Sequence, residues 1–431
     1  MSRLALHWQV LIALGLAVVA GLLSGPDAGF FGIRFYDVFN FIGTLFMNAL
    51  KMIIVPLIMS SIITGISGLG ATRGLARLGG KTLAFYFTTT FCAILIGLFM
   101  VNLLTPGLVE GEPGREIFGL DETGLAEASE KIAGRDAGSI AEVFLRLVPA
   151  NIVSAAANGQ MLGLIFFSLL FGYFMGRLPP TQSAAQQQFW QGVMDIMMRI
   201  TEWVMRFAPL GVFALVAKVI AGLEHDGILD LAQALGVFFL TVVLALLLHF
   251  ALVLPALLRF IARVNPLLHY KAMLPALLTA FSTASSSATL PLTMDCVEKN
   301  AGVSNRTSSF VLPLGATVNM DGTALYECVA AMFIAQAYGL ELDFTTQFII
   351  VLVALLTSIG VAGIPAASLV AITIILGTIG LPLEALGLIL AVDRILDMFR
   401  TAVNVFSDSV AAVVVARLEG ETGLYRTEAQ A

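Results

Sequence analysis

Long apolar stretches recur from one end of the 431-residue chain to the other. Each is long enough to cross a bilayer as a helix, which takes about 20 residues. They lie near residues 8–24, 37–67, 78–105, 142–176, 187–222, 229–262, 308–338 and 383–415. This pattern predicts an all-α polytopic membrane protein with eight transmembrane helices.

Two further apolar stretches, near 268–296 and 345–378, are interrupted by small residues and a proline. The interruptions read STASSSATLP at 282–291 and TSIGVAGIP at 357–365. The arms on either side are too short to cross a membrane alone, so each stretch is predicted to be a re-entrant helical hairpin. Two ordinary helices with Gly/Ser kinks are the alternative. A hairpin followed by a polar span, occurring twice, is typical of inverted-repeat transporters.

Basic residues in the loops set the expected orientation. Those that would all face the cytoplasm are Arg3, Arg73, Arg77, Lys81, Arg177, Arg259, Arg263 and Lys271. The loop at 108–137 carries eight acidic residues against three basic ones and is expected to be external. Both termini are then cytoplasmic. The first apolar segment ends in Ser-Gly-Pro, without a small-residue cleavage site, and is expected to be a helix.

The composition agrees with a membrane protein, because 58% of residues are hydrophobic and only 12% are charged. Soluble domains have about 25% charged residues, so a soluble enzyme, a nucleic-acid-binding protein and a disordered chain are excluded. The net charge of −6 offers no basic surface to a phosphate backbone. The three cysteines have no spacing typical of a disulfide framework or a metal site.

The last span carries a stripe of polar and ionisable side chains. Its members are spaced 4, 3, 4 and 4 residues apart, which places them on one helix face: Asp393, Asp397, Arg400, Asn404 and Asp408. Arg394 lies at the flank of this stripe. A charge at mid-membrane costs about 2.5–3.5 kcal/mol, so this face cannot contact lipid. The stripe predicts a pathway for a charged solute, with an interhelical salt-bridge ladder as the structural alternative.

The preceding span also contains buried polar residues. Asn319, Thr323 and Glu327 share one face, whereas Asp321 would point roughly the opposite way in a regular helix. Gly322 weakens that regularity, and unwinding here would free backbone carbonyls. Oxygen ligands of this kind suit a hard cation. A glycine kink with a hydrogen-bonded asparagine is the structural alternative.

Two other functions fit the buried acids less well than a secondary transporter. An intramembrane aspartyl protease needs its aspartates in Tyr-Asp and Gly-x-Gly-Asp sequences, whereas Asp321 follows Met and Asp397 follows Leu. An anion channel would not need an acidic residue, Asp397, three positions from Arg400 on the same helix face.

Four motifs resemble those of the dicarboxylate/amino acid:cation symporter family, which includes the mammalian excitatory amino acid transporters: SSSATLP at 285–291, NMDGTALYE at 319–327, SIGVAGIP at 358–365 and DRILDMFRTAVNV at 393–405. The resemblance extends from the first helix to about residue 417. It implies a homotrimer in contact with membrane lipid, with inverted repeats and an elevator-type mechanism. It implies coupling ions rather than a cofactor, and no nucleic-acid partner.

The resemblance also divides the chain into a scaffold and a transport domain. Its divisions are scaffold helices 1–2 at 1–77, helix 3 at 78–106, an extracellular acidic loop at 107–141, scaffold helices 4–5 at 142–224, helix 6 at 225–264, hairpin 1 at 265–300, helix 7 at 301–340, hairpin 2 at 341–380, helix 8 at 381–417 and a cytoplasmic tail at 418–431. Helices 3, 6, 7 and 8 would move together with both hairpins.

The same resemblance assigns functional residues. Arg400 matches the residue that binds the substrate side-chain carboxylate, and Asp397 matches the one that holds the α-amino group. The remaining substrate-binding positions would be Ser286, Ser287, Thr323, Ile364, Thr401 and Asn404. Three sodium sites would comprise Gly315, Asn319, Asn404 and Asp408; Thr317, Met320, Ser358 and Ile359; and Tyr86, Thr89, Thr90, Asn319 and Asp321.

Three positions depart from the family pattern. Archaeal members carry an arginine at the position of Ala284, and animal members carry one at the position of Met398. This chain has an arginine at neither position, and Arg394 is expected to substitute for it. Val361 replaces a residue that is often Thr or Ala, so the second sodium site would lack a hydroxyl. Glu327 is the animal-type residue and, with apolar neighbours expected, is a candidate proton carrier.

The expected function is uptake of L-glutamate or L-aspartate across a bacterial inner membrane, driven by sodium, with Glu327 permitting additional proton coupling. Asp408 and Asp321 would be buried carboxylates that need a bound cation or a proton. Sodium is favoured because Asp408, with Asn404, Asn319 and freed carbonyls, offers a cage of oxygen ligands. A proton-coupled glutamate symporter or a C4-dicarboxylate symporter is the alternative.

Overall fold

The computed structural model describes residues 6–25, 27–67, 73–109, 111–114, 145, 148–158, 160–222, 227–340, 342–358, 367–381 and 386–425. Helices make up almost all of this part of the chain. In order they are α1 Leu6–Ser24, α2 Phe35–Ser67, α3 Arg73–Leu104, α4 Ile152–Ala157, α5 Met161–Met175, α6 Pro180–Met205, α7 Ala208–Gly222, α8 Gly227–Leu248, α9 Pro266–Thr283, α10 Ser286–Asp295, α11 Asn305–Val318, α12 Asp321–Ala337, α13 Phe344–Ser358, α14 Ala367–Ile379 and α15 Leu386–Leu418. π-helical turns extend α8 to Ala262 and α10 to Asn300.

Two very short antiparallel ribbons occur in the connections. β1 Gly29–Phe30 pairs with β2 Ile33–Arg34 between α1 and α2, and β3 Leu108–Val109 pairs with β4 Glu112–Pro113 after α3. These ribbons close turns; the first is exposed, whereas Val109 of the second packs against the helical core.

The first packing group consists of α1, α2 and α5 to α7. α1 lies along α7, and α2 contacts α5, α6 and α7. Small residues allow α1 and α7 to approach closely, since Ala17 and Ala217 are fully buried and a Cβ at Gly21 would lie 2.6 Å from Ile220 Cβ. Close approach through small residues is how helices associate where lipid removes the hydrophobic driving force.

The second packing group consists of α3 and α8 to α15. Its centre is α12, which contacts α3, α8, α13, α14 and α15. All residues of 321–335 are buried, and most of α15 is buried as well. The polar residues of these two helices therefore lie inside the protein and away from lipid.

Within this group, α9 packs against α10 and α13 packs against α14, so each pair forms a helical hairpin. The first reverses at Ala284, which adopts a left-handed conformation (φ +50°), and Ser285 then caps α10 by accepting a hydrogen bond from Ala288 N. The tip of the second pair, residues 359–366, lies outside the described residues. The pairing agrees with the two hairpins expected from the sequence, while their insertion into the membrane stays a prediction.

Among the described residues, three helices are continuous, long and apolar enough to cross a membrane, namely Arg77–Leu104, Asp230–Ala262 and Ile389–Leu418. The apolar stretch that was expected to form a span at 187–222 contains a bend. α6 ends at Met205, α7 begins at Ala208, and their axes are bent by 54°. Pro209 lies in the first turn of α7 and has no backbone N–H to donate to the preceding turn, which explains the break.

The span expected at 142–176 is also divided. Asn151 starts the short helix α4 by accepting hydrogen bonds from Val153 N and Ser154 N, and α5 then begins separately at Met161. Most of the acidic loop expected at 107–141 lies outside the described residues.

A segment after α15, the C-terminal strap (residues 419–425), joins three other elements. Its hydrogen bonds are Lys81 to Glu419, Ser304 and Thr307 to Glu421, Tyr425 N to the Ala301 carbonyl, and the Tyr425 hydroxyl with His269. The Lys81 ammonium is 2.5 Å from Glu419 and holds the pKa of that carboxyl below its usual range. The strap thus ties α3, α9 and the start of α11 to the end of α15.

We expect Gly21→Leu to lower the stability of the α1–α7 contact, because the new side chain would collide with Ile220. Overpacking of this kind costs about 1–3 kcal/mol. Gly15→Leu is the matched control, since a Cβ at Gly15 has nothing within 4 Å. The measurement is thermal unfolding of both variants in detergent; equal melting temperatures would contradict the close packing.

Candidate functional site

The polar centre of the second packing group is built around an interruption between α11 and α12. Asn319 (φ −98°, ψ 85°) and Met320 (φ −113°, ψ 54°) leave the helical conformation. The interruption changes the rotational phase of the chain, so Asn319 and Asp321 reach the same hydrogen-bond network through Ser407. The unwinding expected beside Gly322 is thus observed at Asn319 and Met320, and Asp321 does not take the direction that a regular helix would give it.

Asp321 is a fully buried carboxylate with partners on three helices. Thr90 Oγ1 on α3 and Ser407 Oγ on α15 each donate to it at 2.6 Å. His249 Nε2, from the π-helical turn after α8, lies 3.0 Å from its second oxygen. Such partners are required to stabilise a carboxylate away from water.

Asn319 links this carboxylate to a second one. Its amide nitrogen donates to Ser407 Oγ at 3.0 Å and to Asp408 Oδ1 at 2.9 Å. Its amide oxygen lies 3.4 Å from Thr89 Oγ1. Hydroxyl, amide and carboxylate oxygens therefore converge at one point in the interior, as a hard cation prefers.

Gly315 permits the close approach at this point. A Cβ there would collide with the Asp408 carboxylate and lie 2.8 Å from the Tyr86 hydroxyl, which itself donates to the Val311 carbonyl at 2.7 Å. Any larger residue at 315 would push Asp408 away from the cluster.

A second cluster surrounds Arg400, which is fully buried. Nη2 donates to Asp393 Oδ1 at 2.9 Å and lies 3.1 Å from Asp397 Oδ1. Nη1 donates to Ser368 Oγ at 2.7 Å, and the guanidinium carbon stands 3.9 Å from the centre of the Tyr326 ring. Two carboxylates and an aromatic face thus compensate the buried charge.

Arg394 adds a second cation to this cluster. Its Nη1 lies 3.4 Å from Asp397 Oδ2, and both side chains are largely buried. Asp397 therefore lies between two guanidinium groups, one from Arg400 and one from Arg394.

Asn404 lies on α15 between Arg400 of one cluster and Asp408 of the other. Its amide oxygen accepts a hydrogen bond from Gly322 N at 2.8 Å, and its amide nitrogen donates to Thr323 Oγ1 at 3.0 Å and to Met320 Sδ at 3.4 Å. A Cβ at Gly322 would lie 2.7 Å from the Arg400 carbonyl, so glycine is needed for α12 and α15 to approach.

Glu327 is fully buried. Purely apolar neighbours were expected for it, but the structure also places a hydroxyl beside it. Thr357 Oγ1 donates to Glu327 Oε2 at 3.1 Å. Thr357 lies on α13, which the sequence did not place beside α12. Glu327 Oε1 has no hydrogen-bond partner in the part of the chain that the structure describes.

Other predicted residues are not joined to these clusters by a described hydrogen bond. Thr317 and Ser358 donate to carbonyls of their own helices, Leu314 and Leu355. Ser286, Ser287 and Thr401 lie in the first turn of α10 and on α15, and Ile359 and Ile364 lie outside the described residues. The second predicted sodium site therefore stays a prediction.

The predictions from sequence missed the Tyr326 ring and three hydrogen-bonding residues of the clusters: His249, Ser368 and Ser407. A histidine in the apolar run LLLHFALVLP was the available signal for His249, and its spacing gave no partner. Serine hydroxyls in transmembrane segments usually donate to a carbonyl of their own helix, so nothing in the sequence distinguished Ser368 and Ser407 from other serines.

Acidic, basic and oxygen-rich side chains thus lie together inside a bundle of apolar helices. An arginine binds carboxylates, and an oxygen cluster binds hard cations. Ionisable residues placed in this way inside membrane helices define a transporter for charged solutes.

The model of the sodium:dicarboxylate symporter family matches residues 6–418. The chain belongs to this family, which confirms the resemblance seen in the motifs, and it is a multi-pass membrane transporter rather than an enzyme. It is 36% identical to the proton/glutamate-aspartate symporter of Escherichia coli (strain K12), over 97% of this chain and 93% of that protein. It is 34% identical to the proton/sodium-glutamate symport protein of Geobacillus stearothermophilus (98% and 96% covered) and 35% identical to excitatory amino acid transporter 1 of Ambystoma tigrinum (94% and 82%).

We expect Arg394→Ala to weaken substrate affinity without unfolding the protein, because Asp397 would lose one of its two cationic neighbours. A charge-assisted contact of this kind is worth about 1.5–3 kcal/mol, so KM should rise roughly tenfold or more. Arg394→Lys keeps the charge and serves as the control. Wild-type uptake kinetics in Arg394→Ala would show that Arg394 is only structural.

Proposed function

We propose that the protein is a secondary active symporter that imports L-glutamate or L-aspartate with sodium and an additional proton. The observation that carries this proposal is the contact between Arg400 and Asp397, 3.1 Å apart in the buried interior. A cation and an anion side by side match the side-chain carboxylate and the α-ammonium of an acidic amino acid. The bacterial relatives are named as glutamate or glutamate-aspartate symporters, which supports this substrate class.

Sodium coupling is supported by the cluster around Asp321 and Asp408. Desolvation of two buried carboxylates in one network is costly unless a cation or a proton accompanies them. The hydroxyl of Thr90 and the amide oxygen of Asn319 add neutral oxygen ligands. Glu327, with one oxygen unpartnered among the described residues, is assigned the additional proton.

Movement, assembly and location are further parts of the proposal, and the two packing groups support the division into a scaffold and a moving domain. We assign α1, α2 and α5 to α7 to a fixed scaffold that forms a homotrimer, and α3 with α8 to α15 to a domain that moves as an elevator. The hairpins α9–α10 and α13–α14 are assigned as re-entrant from opposite sides. The protein would lie in a bacterial inner membrane with both termini in the cytoplasm.

A proton-coupled symporter for glutamate or C4-dicarboxylates is the second candidate. Asp397 is already near Arg394 and Arg400, so it does not strictly require a substrate ammonium. The relative from Escherichia coli is also named for proton coupling alone.

The substrate proposal predicts that succinate competes poorly with labelled L-aspartate for uptake into proteoliposomes. Succinate can occupy Arg400 but offers no ammonium to Asp397. The missing charge-assisted hydrogen bond should raise its inhibition constant roughly tenfold or more above that of aspartate. Equal potency of the two compounds would favour the C4-dicarboxylate candidate.

The coupling proposal predicts that an inward sodium gradient drives aspartate uptake at fixed pH. An added inward proton gradient should increase uptake, and Glu327→Gln should remove that increase while sodium-driven uptake remains. The measurement is uptake into liposomes under each gradient separately. Uptake driven by the pH gradient alone, with no response to sodium, would overturn the assignment of Asp408 and Asp321 to sodium.

A further inference from the structure

Ser368 contacts Arg400 from a different helix. It lies in the first turn of α14, is 3% exposed, and accepts a hydrogen bond from Arg400 Nη1 at 2.7 Å. The acidic partners of Arg400, Asp393 and Asp397, lie on the same helix as the arginine. In the described part of the second hairpin, Ser368 is thus a contact that holds the guanidinium relative to α14.

The guanidinium of Arg400 has one nitrogen without a hydrogen-bond partner among the residues that the structure describes. Nη1 and Nη2 both have partners, whereas Nε is buried and has none among the described residues. A buried N–H without a protein partner is uncommon and is available to an acceptor from outside the protein.

The geometry of the guanidinium connects these two observations. Nε and Nη2 share one edge of the planar group, and a carboxylate can accept from both at once. Nη1 lies beyond that edge and is occupied by Ser368. We infer that Ser368 is a positioning residue that orients Arg400 so that its Nε–Nη2 edge receives the substrate carboxylate.

This inference rests on the proposed function. It also predicts which contacts of Arg400 and Asp397 are exchanged when the substrate binds. A carboxylate that binds this edge gains Nε and must share Nη2, which now lies 3.1 Å from Asp397. An ammonium on the same substrate would draw Asp397 away from Nη2. Ser368 and Asp393 then hold Arg400 in place while Asp397 exchanges partners.

The experiment compares aspartate and glutamate uptake in the wild type, Ser368→Ala, Ser368→Thr and Thr373→Val. Thr373 lies on the same helix, but its hydroxyl donates to the Leu369 carbonyl of that helix, which makes it the matched control. In Ser368→Ala, Nη1 loses its acceptor and the edge is no longer held in one orientation. We expect KM for aspartate to rise about tenfold with the maximal rate within about twofold, because a hydrogen bond to a charged group is lost.

Selectivity for side-chain length gives the second readout. The ratio of the two KM values should approach one in Ser368→Ala, since a loosely held edge distinguishes less well between acids that differ by one methylene. Ser368→Thr, which keeps the hydroxyl, should restore both values, and Thr373→Val should behave as wild type. If Ser368→Ala does not fold, Ser368→Cys carries the comparison, because a thiol is a weak acceptor of similar size.

Unchanged KM values in Ser368→Ala, or an equal rise for both substrates, would overturn the inference. A wild type that carries succinate but neither amino acid would overturn the proposed amino-acid specificity instead. The KM comparison with succinate would then still test Ser368, because any carboxylate would use the same edge. A wild type that carries none of these acids would overturn both.

Discussion

A charge inside a bundle of apolar helices is stable only when other groups in the protein replace its water, and the second packing group is organised by this constraint. Arg400 and Asp321 are both fully buried, and each is surrounded by partners from several helices. The interruption after Val318 and the glycines at 315 and 322 follow from the same requirement, because they bring backbone and side chains within hydrogen-bond distance. Local irregularity in α11 and α12 is thus the condition for a polar centre.

The apolar runs predicted the class of fold, and the spacing of polar residues on α15 predicted which face is buried. Both depend on short-range periodicity, which a single helix displays in full. The contacts of His249 with Asp321 and of Thr357 with Glu327 could not be predicted in this way, because they join residues 72 and 30 positions apart. The bend between α6 and α7 was not predicted, because the hydropathy of a segment does not register that Pro209 lacks a backbone N–H.

The two packing groups have different kinds of interface. Within the first, α1 and α7 approach through alanine and glycine, whereas in the second the contacts around α12 and α15 include hydrogen bonds and ion pairs. Small apolar surfaces have no directional preference, but a hydrogen bond fixes the relative position of the two atoms it joins. The hydrogen bonds at the polar centre of the second group therefore fix the relative positions of its side chains, as ligand binding requires.

The C-terminal strap has a consequence for biosynthesis. Residues 419–425 leave the ribosome after every helix from α1 to α15, yet they bond to Ala301, to Ser304 and to His269 at the base of the first hairpin. During translation that base is without these partners until the last helix has been made. A fusion protein joined directly to Leu418 in place of the strap would leave the base of the first hairpin without these partners. A purification tag should therefore follow Tyr425.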